Sequence, residues 1–183
     1  MGYSEGGRAV ADEDKNYWAK ARAKNAGPPD RASRFDAVGE TLAIARKRNR
    51  PVKSDGAGCP ILVEGIRDRK VLRNLGYSGQ IELVNRGWSQ GRLCAWLYET
   101  YGTRNSVDGG SAMYLLMDWD RTGGRLQRDL SRRLESFDIL IDAQLRKRLS
   151  RFLTPETSTV EGLRGFITEL KMRMQSYDPI EEE

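Results

Sequence analysis

Residues 112–117 read Ala-Met-Tyr-Leu-Leu-Met without a polar break, and the chain then changes abruptly to Asp118, Trp119 and Asp120 before Arg-Thr-Gly-Gly. So short an unbroken apolar run, ended by charge, reads as a strand covered on both faces, the mark of the middle of a parallel sheet. Parallel neighbours cannot be joined by hairpins; they need crossovers, and crossovers are usually helices.

The flanking sequence supplies both. "CPILVEG" (59–65) predicts a first strand, "IRDRKVLRNLGY" (66–77) a helix and "GQIELVN" (79–85) a second strand. "SQGRLCAWLYETYG" (89–102) predicts a helix with Leu93, Trp96, Leu97 and Tyr101 on one side. After the double glycine, "GRLQRDLSRRLES" (124–136) is a strongly basic helix and "FDILI" (137–141) a fourth strand. Strand and helix in alternation give an α/β class, a Rossmann-like parallel sheet of about four strands with helices on both faces.

The ends differ in character. Residues 1–32 are rich in Gly, Ala and charge and read as a mobile arm. Over 33–57 we expect a helix from Arg34 to about Arg48, opened by a capping box of Ser33 and Asp36, and then the basic linker "ARKRNRPVK". The sheet domain occupies 58–155. Residues 156–183 carry a C-terminal helix, with a capping box of Ser158 and Glu161 and an apolar stripe of Val160, Leu163, Ile167, Leu170 and Met174, and then an acidic tail.

Composition narrows the chemistry. There is no histidine, so imidazole bases and histidine-containing zinc sites are excluded. The two cysteines, Cys59 and Cys94, make neither a disulfide framework nor a close metal pair, which with the lack of a secretory apolar segment predicts a cytoplasmic protein. No run approaches the length of a membrane span. A net charge of +5 favours anionic partners.

In an open parallel sheet the C-terminal strand ends share one edge, where ligands bind. The first strand delivers Glu64 to that edge and the third delivers Asp118 and Asp120. Two carboxylates about 5 Å apart repel by roughly 3 kcal/mol at an effective dielectric near 20. A divalent cation relieves that repulsion, and oxygen-only ligation favours Mg²⁺ or Mn²⁺ over zinc. Gly123 and Gly124 would let the backbone pass close to a phosphate on its way into the basic helix.

"ILVEGIRDRKVL" and "YLLMDWDRTGGRL" resemble the two signature motifs of the Toprim domain family, shared by topoisomerases, primases, overcoming-lysogenization-defect nucleases and the ribonuclease that matures 5S ribosomal RNA. The resemblance covers residues 58 to about 142, and the chain is most similar in size to small stand-alone archaeal Toprim proteins. It implies Mg²⁺ held by Asp118 and Asp120, with Glu64 as general acid or base and as a further metal ligand. Gly65, Asp68 and Gly123 match supporting motif positions. Arg86 and Gly87, in the loop after the second strand, and Arg121 and Arg125, beside the expected metal, become candidates for contact with a nucleic-acid backbone.

The expected function is a Mg²⁺-dependent nuclease acting on RNA or DNA. Two other readings stay open. One is a non-catalytic nucleic-acid-binding Toprim module; the other is a haloacid-dehalogenase-like phosphatase, since "DWDRTGG" also resembles that family's D-x-D-x-T motif. The chain has no room for the further domains of type IA topoisomerases or primases. Tyr77, Tyr98, Tyr101 and Tyr114 read as packing residues, and so does Trp88, although its place beside the loop would allow it to stack on a base.

Overall fold

Strand β1 (Ile61–Val63) lies at the centre of the sheet, paired in parallel with β2 (Ile81–Leu83) on one side and β3 (Met113–Leu116) on the other. A short β4 (Ile141–Asp142) adds to β3, giving the all-parallel order β2-β1-β3-β4. This is a Rossmann-like α/β fold, seen in a computed structural model that describes residues 30–180. Most of the arm expected over 1–32, and the acidic residues 181–183, lie outside the described residues.

The helices are α1 (Arg31–Asn49), α2 (Ile66–Asn74), α3 (Gln90–Tyr101), α4 (Arg121–Glu135), α5 (Gln144–Leu153) and α6 (Ile167–Gln175). Side-chain alternation along the strands divides the core into two layers. Ile61, Val63, Tyr114 and Leu116 face one cluster, which takes in Phe35, Val38 and Leu42 of α1, Leu72 of α2, Leu145 and Leu149 of α5, and Leu170 and Met174 of α6. Leu62, Met113 and Leu115 face the other, built on Leu93 and Leu97 of α3 and Leu130 and Leu134 of α4. All seven strand residues are buried, which is why the third strand shows no polar alternation.

Several boundaries differ from expectation, each for a local reason. Helix α1 starts earlier because Asp30 accepts from the Ser33 amide (2.9 Å) and hydroxyl (3.0 Å), so Ser33 sits inside the first turn and not at the cap. Asp36 pairs instead with Arg173 of α6. The Ser158/Glu161 box does not form. Glu161–Phe166 is a 3₁₀ turn without a side-chain cap, leading into the shorter α6, although Val160, Leu163, Leu170 and Met174 are all buried as the stripe predicts. The fourth strand shrinks to two residues because Phe137 and Asp138 belong to the turn that ends α4, with Asp138 at φ 58°.

Among the described residues no helix is long and apolar enough to cross a membrane. Both cysteines are buried and unpaired, and burial pushes the Cys59 thiol up to about 12.

Candidate acidic site at the switch point

The order β2-β1-β3-β4 reverses direction between β1 and β3, and the crevice outside the carboxyl ends of such a pair is where open α/β sheets bind ligands. Register pairs Val63 with Leu116, so Glu64 and Met117 leave the sheet together. The Glu64 carboxylate accepts a hydrogen bond from the Asp118 amide at 3.1 Å, joining residues 54 apart in sequence. The expected meeting of the two motifs at one rim is therefore present.

Each carboxylate of the rim leans on a backbone amide. Asp118 accepts from Val160 N at 2.7 Å. Asp120 caps α4, accepting from Gly123 N at 2.7 Å. Asp68, buried in the first turn of α2, accepts from Gly65 N at 2.9 Å. These bonds do not fully offset the cost of burial. Burial raises the pKa of Glu64, with Asp68 and Asp120 adding to it. Asp118 is pushed up to about 6, first by burial and then by Glu64, Asp68 and Asp120. Burial raises Asp68 too, helped by Glu161.

The carboxylates share a rim but do not close on a common point: among the described residues no three acidic or thiol side chains form a ready-made cation cage. Their donor chemistry nevertheless fits magnesium, which keeps several waters and takes only one or two carboxylates from a protein. The raised pKa values of Glu64 and Asp118 follow first from burial and then from the neighbouring carboxylates.

Sequence reasoning missed three parts of the site. Trp119 lies between the two aspartates and points the other way. Its indole donates to Thr157 O at 2.6 Å and its amide to Ser158 O at 2.9 Å, tying segment 157–160 to the rim. Buried Gln127 of α4 reaches back to the end of β3, accepting from Met117 N (3.2 Å) and donating to Leu115 O (3.3 Å). Arg146 of α5 donates to Met117 O (3.1 Å) and Asp118 O (2.8 Å), bringing a cation beside the acids. Trp119 could have been found by alternation, which sends the residue between two outward aspartates inward. Nothing local marks Gln127 or Arg146.

The candidate nucleic-acid contacts divide. Arg121 and Arg125 are exposed in the first turns of α4, beside Asp120. Arg86 is occupied elsewhere: it pairs with Glu82, donates to Leu83 O at 2.8 Å, and lies 4.7 Å above the Trp96 ring and 5.2 Å above that of Trp88. Trp88 is half-buried, with Arg92 4.5 Å from its ring centre, so it packs among guanidinium groups. Gly87 adopts φ 77°, the left-handed turn that favours glycine. Gly123 and Gly124 do not form a loop; both lie inside the first turns of α4. A Cβ on Gly123 would sit 2.2 Å from Asp118 O, so the glycine lets the helix start pack against the strand end.

Comparison with known proteins finds archaeal relatives. A UPF0292 protein of Thermococcus onnurineus is 36% identical over 106 residues, covering 57% of this chain and 71% of the relative. A UPF0292 protein of Methanosarcina barkeri is 29% identical over 142 residues, 72% of this chain and 91% of the relative. One from Thermococcus gammatolerans is 30% identical over 106 residues, again 57% and 71%. No family model matches the chain, and no solved structure matches it.

Proposed function

The chain belongs to the UPF0292 protein family, and from its acidic rim we propose that it is a magnesium-dependent enzyme of phosphodiester bonds, a nuclease acting on RNA or DNA. The observation that carries this reading is the hydrogen bond from the Asp118 amide to Glu64, which brings the ends of the two Toprim-like motifs together at the switch point. The resemblance of those motifs supplies the reaction class.

Asp118 and Asp120 are the residues that would hold Mg²⁺ or Mn²⁺, with Glu64 as a third ligand or as the proton-handling group. Bound there, the ion would polarise the phosphoryl oxygen and stabilise the departing one. The chain's own groups account for the rest. Hydrolysis adds water across a P–O bond: the water oxygen bonds to phosphorus, the bond to the leaving oxygen breaks, and that oxygen takes up a proton. Glu64, with its pKa raised by burial, is a stronger base than an exposed carboxylate and suited to accept the proton from water. Arg146, Arg121 and Arg125 oppose the negative charge of the phosphate.

The test is cleavage of labelled RNA and DNA by purified protein with Mg²⁺ or Mn²⁺, beside Glu64→Gln and Asp118→Asn. Loss of at least 100-fold in both variants, with melting temperatures not lowered, is expected. Cleavage by either variant at the wild-type rate removes the assignment.

A further inference from the structure

Helix α4 carries Arg121, Arg125, Arg128 and Arg132 at spacings of four, three and four, so all four share one face. That row extends about 16 Å at 1.5 Å per residue. Beside it, between α4 and α5, lies a groove of about 550 Å³ with Arg128 and Arg132 on one wall, Arg146 and Lys147 on the other, and Glu135 as its single acid. Arg146 links the groove to the acidic rim, because it also donates to the backbone of Met117 and Asp118.

Several arginines elsewhere in the described residues are neutralised by carboxylates. Arg34, Arg46, Arg48, Arg50, Arg86 and Arg148 are all in ion pairs. The contrast holds within α5: Arg148 pairs with Glu40 at 2.8 Å, whereas neither neighbour, Arg146 or Lys147, has a carboxylate partner among the described residues. Arg121, Arg125, Arg128 and Arg132 have none either. Like charges gathered on both walls of one concavity repel. A polyanion laid along the groove would neutralise them all.

We propose that the α4–α5 groove holds the backbone of a single nucleic-acid strand and leads it to the acidic rim. Its destination rests on the proposed function; the binding does not. A single strand can lie between the two cationic walls, whereas a groove of about 550 Å³ is too small to enclose a double helix.

The experiment measures binding apart from cleavage. Anisotropy of a labelled 12-nucleotide single strand is followed in EDTA between 50 and 200 mM KCl. The wild type is set beside Arg128→Glu/Arg132→Glu/Lys147→Glu and beside a charge-matched control, Lys53→Glu/Arg104→Glu/Lys171→Glu, whose sites are exposed and lie elsewhere. All six substituted side chains are exposed, and melting curves confirm folding. The groove variant should bind at least tenfold more weakly than the control. Its salt slope should be shallower by about 2, near 0.7 for each lost phosphate contact. Equal affinity in the two triple variants, or tighter binding of a 12-base-pair duplex than of the single strand, overturns the proposal. Glu64→Gln keeps the groove, so loss of its cleavage with binding intact concerns the nuclease reading alone.

Discussion

The carboxyl of Asp118 is held at about 6 instead of 3.8, so its charge is unfavourable in the folded, metal-free chain. Below pH 4 the group is protonated whether folded or not. Between about 4 and 6 the unfolded chain gives up a proton that the folded chain keeps, so stability falls as pH rises through that window and the loss is constant above it. Asp118→Asn retains an oxygen for the Val160 amide and removes the charge. It should raise stability at pH 7 by about 1 kcal/mol, the full linkage being discounted because the group is partly solvated. Melting in EDTA should show a gain of about 2–4 °C at pH 7 that vanishes near pH 4. A variant that melts below the wild type at pH 7 would mean that the carboxylate is not strained. Glu64→Gln likewise retains an acceptor for the Asp118 amide, and should alter activity without lowering the melting temperature.

At the scale of elements, the two glycines at the start of α4 should respond oppositely to alanine. Gly123→Ala drives a Cβ against backbone atoms of Asp118 and should cost about 1–3 kcal/mol in urea unfolding. At Gly124 the nearest atoms are side-chain nitrogens of Arg146 and Arg128 at 3.5 and 3.8 Å, so alanine fits and the better helix former should add up to about 1 kcal/mol. If the two variants shift stability in the same direction, the close packing of helix against strand end is not what selects glycine. The contrast also shows what the sequence could reveal. Short unbroken apolar runs, each ended by an acidic residue, announce buried strands, so β1, β3 and the delivery of Glu64 and Asp118 to one edge were legible. Capping was not, because Asp30 and Ser33 offer two competing starts one turn apart and only the folded helix chooses between them. Gln127 and Arg146 were illegible because their partners are main-chain atoms of Leu115, Met117 and Asp118, and any strand end would offer the same carbonyls and amides.

Over the whole molecule, the first helix and the segment after the last are joined through a buried ion pair. Arg46 of α1 bonds Asp178 at 2.8 Å and Leu75 O at 3.1 Å, and Arg50 meets the same carboxylate. Asp178→Ala leaves the Arg46 charge buried without its partner and should cost about 3–5 kcal/mol, read as a fall in denaturant midpoint with unchanged slope; a midpoint within error of wild type would refute it. The same long-range economy governs the rim. Glu64 is made first, Asp118 follows, and the amide that fastens Asp118 belongs to Val160. A ribosome adding about 5–20 residues per second needs about 5–20 s to travel from the first of these to the last. During that interval the nascent polypeptide carries its acidic pieces unassembled, and a chain interrupted before Val160 is synthesised lacks the amide that fastens the Asp118 carboxylate.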